Sequence, residues 1–171
     1  MGLLRALSGL RTALAKTETA LLVGIAAVMI LMAFLQVILR EVFSAGILWG
    51  DIFLRHLVLW AGFLGGAIAA EKKSHFAIDV LQKALPERTR AFVSLAIHAA
   101  AVACLVLLVR AAVDFYRYEL DAGSILFTAG EVSVPEYALN SIIPAGFILL
   151  AVHFFLNGLT EALEMFFGSG R

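Results

Sequence analysis

Long apolar runs alternate with short polar segments along this chain. Four runs stand out, at residues 19–39, 52–70, 91–113 and 141–159. Each is near the roughly 20 residues that a helix needs to cross a bilayer. The fourth keeps its Ile, Leu, Phe and Ala content despite Pro144, His153 and Asn157. The pattern predicts an all-α membrane protein, a single domain over residues 1–171 with four transmembrane helices. The first run is longer than the apolar part of a signal peptide. It passes through Gln36-Val37-Ile38-Leu39 straight into Arg40 without a small-residue cleavage site, so it reads as a retained anchor.

The segments between the runs carry patterns of their own. In residues 1–16, Leu3, Leu7, Leu10 and Leu14 share one helical face, with Arg5, Thr12 and Lys16 opposite. This is the pattern of an amphipathic helix lying on a membrane surface. A second amphipathic segment is expected over residues 72–86, with Asp79, Gln82 and Lys83 beside Val80, Leu81, Ala84 and Leu85, and Pro86 ending it. Residues 114–140 read as a loop. Within it, Ser133-Val134-Pro135-Glu136 suggests a capping box, starting the last helix near Val134, and Pro144 is expected to kink that helix.

Charge then orients the spans. Arg5, Arg11 and Lys16 precede the first, and Lys72, Lys73, Lys83, Arg88 and Arg90 follow the second. Residues 114–140 hold Arg117 against Asp114, Glu119, Asp121, Glu131 and Glu136. Because basic residues concentrate in cytoplasmic loops, both termini and the 72–86 segment are expected in the cytoplasm, and residues 114–140 outside. Composition agrees with a membrane protein: 15% of residues are charged, against about 25% in soluble domains. The formal net charge of zero offers nothing to nucleic acid. Cys104 is the single cysteine, which excludes an intramolecular disulfide and a cysteine-based metal cluster. Nearly all of the chain is used in spanning, so no enzyme activity is expected.

Polar residues near or within the spans are the functional candidates: Gln36, Arg55, His56, His98, Arg110 and His153. Asp51 precedes Arg55 by four residues, and Asp114 follows Arg110 by four. This spacing predicts ion pairs at the interface, with a contact to a partner subunit as the alternative use of Arg55. His98 and His153 fall at similar depths, roughly 10 Å inside one face at 1.5 Å per residue. Two such histidines are either hydrogen-bonded between helices or axial ligands of a b-type haem, as in the membrane anchor of a respiratory oxidoreductase. Gly62 and Gly66 give a small-xxx-small spacing suited to helix packing. No Asp or Glu lies within the four runs, so neither a proton relay nor a complete transporter is expected from this chain alone.

Residues 40–81 also carry a composite signature. Arg40-Glu41-Val42-Phe43 is followed by Trp49-Gly50-Asp51, Arg55, Trp60, Phe63-Leu64-Gly65-Gly66-Ala67 and then Lys72-Lys73-Ser74-His75-Phe76-Ala77-Ile78-Asp79. This resembles the small membrane subunit, the DctQ type, of tripartite ATP-independent periplasmic (TRAP) transporters. Pro135, Tyr137, Pro144 and Gly146 resemble the start of that family's fourth helix, and Asp51 stands where the family more often has glutamate. The resemblance implies a scaffold in the bacterial inner membrane without cofactor, metal or substrate site. Its expected partners are the large membrane subunit, a periplasmic substrate-binding protein and the lipid bilayer, in a system importing organic acids, often carboxylates, with an ion gradient, commonly sodium. Arg40, Trp49, Asp51, Arg55, Trp60, Gly62, Gly66, His75 and Asp79 become anchoring or partner-contact candidates.

Overall fold

A computed structural model of the chain describes residues 2–73 and 87–167. Helix α1 (Gly2–Phe43) is followed by α2 (Gly50–Lys73), α3 (Glu87–Ala122), a hairpin of β1 (Ile125–Ala129) and β2 (Val132–Pro135), the short α4 (Glu136–Asn140) and α5 (Ile142–Phe167). Four helical stretches are long and apolar enough to cross a membrane: Arg11–Phe43, Gly50–Glu71, Leu95–Ala122 and Glu136–Leu163. Three of the expected apolar runs fall within them, and the run at residues 91–113 begins four residues before Leu95, inside α3. Neighbours pack in the order α1, α2, α5, α3, so the last helix lies between the second and third.

Each helix contributes a seam with its own spacing. On α1, Leu22, Ile25, Met29, Met32 and Gln36 are the partly covered positions, recurring at three and four residues, and this stripe meets α2. The opposite face exposes Val23, Ile30, Phe34 and Val37, the apolar exterior expected of a helix surrounded by lipid or another membrane protein. On α3 the buried positions are His98, Leu105, Ala112 and Glu119, one every seven residues, apolar in the middle and polar at both ends. Leu57, Leu64 and Ala67 are the buried apolar positions of α2.

The structure differs from the sequence expectations in three places. Residues 2–16 are the first turns of α1, with no break before the first span, because nothing between Leu14 and Thr19 interrupts helical propensity. Residues 114–140 are not one loop. The helix α3 continues to Ala122, and an antiparallel hairpin follows, with Ala129 opposite Val132 and an irregularity between Ile125 and Phe127. Gly130 supplies the left-handed conformation (φ 64°) that the two-residue turn requires. The expected capping box is absent. Ser133 pairs with Thr128 in the hairpin, and Pro135 precedes α4 without a side-chain cap. At Ser141, between α4 and α5, the backbone keeps helical angles (φ −53°, ψ −22°) and the Ser141 N–H still donates to the Tyr137 carbonyl. Pro144 has no N–H for the Asn140 carbonyl, and its ring crowds that carbonyl, so the helical ladder is interrupted one turn upstream. The expected 72–86 surface segment, with His75 and Asp79, lies largely outside the described residues.

Candidate functional site

Polar side chains concentrate at the two ends of the bundle. At the hairpin end, Trp49 stacks on Phe127 at 5.5 Å with 12° between ring planes, and Phe53 meets both rings edge-on. The hairpin is thereby seated on the start of α2, and the Glu136 N–H donates to the Ser124 carbonyl at 2.9 Å to close its base. The Gln36 amide donates to Asp51 Oδ1 and accepts from the Asp51 N–H, both at 3.3 Å, joining α1 to the first turn of α2. A Cβ on Gly50 would collide with that amide, so glycine is what lets the two helices approach here.

This contact alters the expected role of Arg55. Asp51 turns to Gln36, no Asp51–Arg55 ion pair forms, and Arg55 is exposed. The expected Arg110–Asp114 pair is likewise not formed; both residues are exposed. Arg40 contacts Glu41 at 3.5 Å with both side chains largely in the open. The His56 Nδ1–H donates to the Ile52 carbonyl within its own helix at 2.8 Å. Trp60 Nε1–H donates to the Leu139 carbonyl at 2.8 Å, and Asn140 Nδ2–H donates to Glu119 Oε1 at 2.6 Å. The first ties α2 to the backbone at the end of α4, and the second joins the side chains of α4 and α3.

At the other end, Glu18 and His153 form a contact that no sequence pattern announced. His153 Nε2 and Glu18 Oε1 share a 2.7 Å hydrogen bond, with side-chain exposures of 0% and 3%. Glu18 Oε2 and His153 Nδ1 are buried without a protein partner. One turn further along α5, Asn157 accepts from Arg11 and donates to the Ala70 carbonyl at 3.2 Å, tying α1, α2 and α5 together. Glu18 stands one residue before the first apolar run, which is why a search for acids inside the runs overlooks it.

His98 faces a different strip of α5. It packs on Phe154 and Gly158, and its Nδ1 lies 3.4 Å from Glu161. The two histidines, weighed in the sequence as haem ligands or as interhelical hydrogen-bonding groups, engage separate carboxylates at separate helix contacts. Among the described residues no cluster of three His, Cys, Asp or Glu forms a metal cage.

The glycines also separate by surroundings. Gly62 faces open space and a Cβ on Gly66 would only touch Leu150, so their spacing does not create a close crossing within this chain. The tight approach is elsewhere. A Cβ on Gly146 would collide with the Phe63 ring, which in turn meets Phe147 edge-on at 5.1 Å. Gly146 is thus the residue that lets α5 close on α2.

Comparisons with known proteins agree with this architecture. Residues 29–163 match the family described as tripartite ATP-independent periplasmic transporters, DctQ component. The chain is 27% identical over 119 residues to the sialic acid TRAP transporter permease protein SiaT of Haemophilus influenzae, covering 70% of this chain and 18% of that protein. It is 36% identical over 66 residues to a protein of another H. influenzae strain described as a TRAP transporter small permease protein, covering 39% of this chain and 41% of that one. The matched stretches thus span less than half the length of either relative. The match favours a transporter component over a haem anchor. With four helices able to span the bilayer and the family match over most of its length, the chain belongs to the DctQ components of TRAP transporters and is a multi-pass protein of the inner membrane.

Proposed function

We propose that this chain is the scaffold that steadies a much larger TRAP membrane subunit in the bilayer, without itself binding substrate or ion. The observation that carries this reading is the SiaT match. There the corresponding stretch is 18% of a far longer permease, so the matched part works beside a large additional polypeptide. The partner proposed for this chain is the large TRAP membrane subunit. The polar contacts described above bind helix to helix and leave no open carboxylate pair in the middle of the spans, which suits a support more than a carrier.

In this reading the substrate is an organic acid captured by a periplasmic binding protein, import is driven by an ion gradient, commonly of sodium, and both termini face the cytoplasm. Arg40, Arg55 and the Gly62 face are the contacts offered to the partner subunit, since each is exposed. Trp49, Asp51 and Trp60 act as internal supports, and His75 and Asp79 belong to the cytoplasmic surface segment.

The test is a mild-detergent pull-down of the tagged chain from its native membrane, with mass spectrometry of the recovered proteins. A large polytopic membrane protein in about one-to-one ratio is expected. Recovery with flavin or iron–sulfur subunits, or of the chain alone, overturns the reading.

A further inference from the structure

Four charged residues line one face of α3 towards the hairpin end: Arg110, Asp114, Arg117 and Asp121, all exposed. Their spacing of four, three and four residues keeps them in one stripe, basic and acidic in turn. Each stands two residues, about 200° of turn, from Ala112 or Glu119, which are buried. The stripe therefore faces away from α5. Among the described residues none of the four has a hydrogen-bond or ion-pair partner. The stripe also crosses the edge of the membrane. Arg110 lies three residues inside the apolar run 91–113, beside exposed Val106, Leu107 and Phe115, and Asp121 lies eight residues beyond that run. From Arg110 to Asp121 a helix rises roughly 16 Å, whereas the headgroup layer on one side of a bilayer is roughly 5–8 Å thick. Lipid headgroups thus cover only part of the stripe, and their phosphates repel Asp114 and Asp121. A soluble protein reaches the Asp121 end and leaves Arg110 among acyl chains, where an unpaired charge is costly. A helix that itself crosses the membrane and continues beyond it can meet all four.

We propose that this stripe docks a membrane-spanning helix of the large TRAP subunit, one that carries carboxylates opposite Arg110 and Arg117 and basic side chains opposite Asp114 and Asp121. The proposal rests on the scaffold reading above and assigns α3 a contact with that partner. A second copy of this chain is a poorer occupant. Two copies inserted in the same sense present like charges at like depth, Arg110 against Arg110 and Asp114 against Asp114. The alternation of sign also fixes the partner's height in the bilayer. A slip of one helical turn, about 5.4 Å, brings like charges face to face, so the stripe rejects the wrong register as well as attracting the right one.

The experiment compares recovery of the large subunit with the tagged full chain from native membranes, for the wild type and two variants. A wild type that recovers no large subunit sinks the scaffold reading and this proposal with it. With the subunit recovered, Arg110→Glu combined with Arg117→Glu is expected to lower its amount about tenfold. The exchange of all four, Arg110→Asp, Asp114→Arg, Arg117→Asp and Asp121→Arg, keeps the net charge and is expected to have the same effect. Undiminished recovery with the exchange variant overturns the docking surface and leaves the scaffold reading standing. Both variants are expected to keep the unfolding resistance of the isolated chain, because all four side chains are exposed. A loss of that resistance matching the loss of recovery overturns the proposal. A photo-crosslinker at Leu107, on the same side of α3 as Arg110, is expected to capture the large subunit in the native membrane. Capture of lipid alone, of a soluble protein or of a second copy of this chain overturns it.

Discussion

Glu18 and His153 show how much a single side-chain contact can decide in a membrane helix bundle. A plain interhelical hydrogen bond between membrane helices contributes on average about 0.6 kcal/mol. Stripping a buried ionisable group of its partner costs roughly 3–5 kcal/mol. Because His153 is wholly covered, Glu18→Leu alone is expected to fall nearer the second figure, measured by unfolding the chain in mixed detergent micelles. The double variant Glu18→Leu with His153→Leu is expected to recover most of the loss, since two apolar side chains in contact leave nothing unpaired. A double variant no better than the single one argues that the pair is not the source of the cost. Gly146 makes the opposite kind of demand, for emptiness. Gly146→Ala pushes a methyl group into the Phe63 ring and is expected to cost about 1–3 kcal/mol in the same measurement.

At the scale of elements, the hairpin depends on aromatic contact more than on its own strands. A two-stranded sheet is marginal by itself. Here Trp49 and Phe53 supply the surface on which Phe127 rests. Trp49→Ala removes a pair contributing about 0.5–1.5 kcal/mol beyond burial. It is expected to speed hydrogen exchange at the hairpin amides while leaving α3 and α5 protected. Unchanged exchange in residues 125–135 counts against that support. The elements also show what was legible beforehand. The four spans could be read because about 20 apolar residues in succession have few other destinies. The hairpin could not, because Ile125–Ala129 and Val132–Pro135 are short and sit among acidic residues that read as loop. Ser133 offered a capping signal and a strand position at once, and pairing with Thr128 prevailed. Of the candidate residues, Trp49, Asp51 and Trp60 proved to be engaged between elements. Glu18, Asn157 and Glu119 stayed hidden because their partners lie 135, 146 and 21 residues away, beyond any local spacing rule.

For the whole molecule, the ordering α1, α2, α5, α3 puts α1 and α3 at the outer positions, with α2 and α5 between them. Family membership rests on the overall chain match, and the scaffold reading rests on the size of the relative that contains the matched stretch. The prediction belonging to this scale is that Arg55→Glu and Gly62→Leu, on the open face of α2, weaken recovery of the large subunit severalfold without lowering the unfolding resistance of the isolated chain. Loss of both together would point to internal packing at those positions.

The place of α5 also bears on how the chain is made. Synthesis delivers α1 and α2 first, and they can pair at once through their seam. Next comes α3, whose buried stripe from His98 to Glu119 faces a helix that has not yet been produced. Until α5 enters between α2 and α3, the third helix lacks its main packing partner. The last helix is the keystone of assembly, and a ribosome halted before Ile142 would leave the α1–α2 pair and α3 without the helix that packs against both.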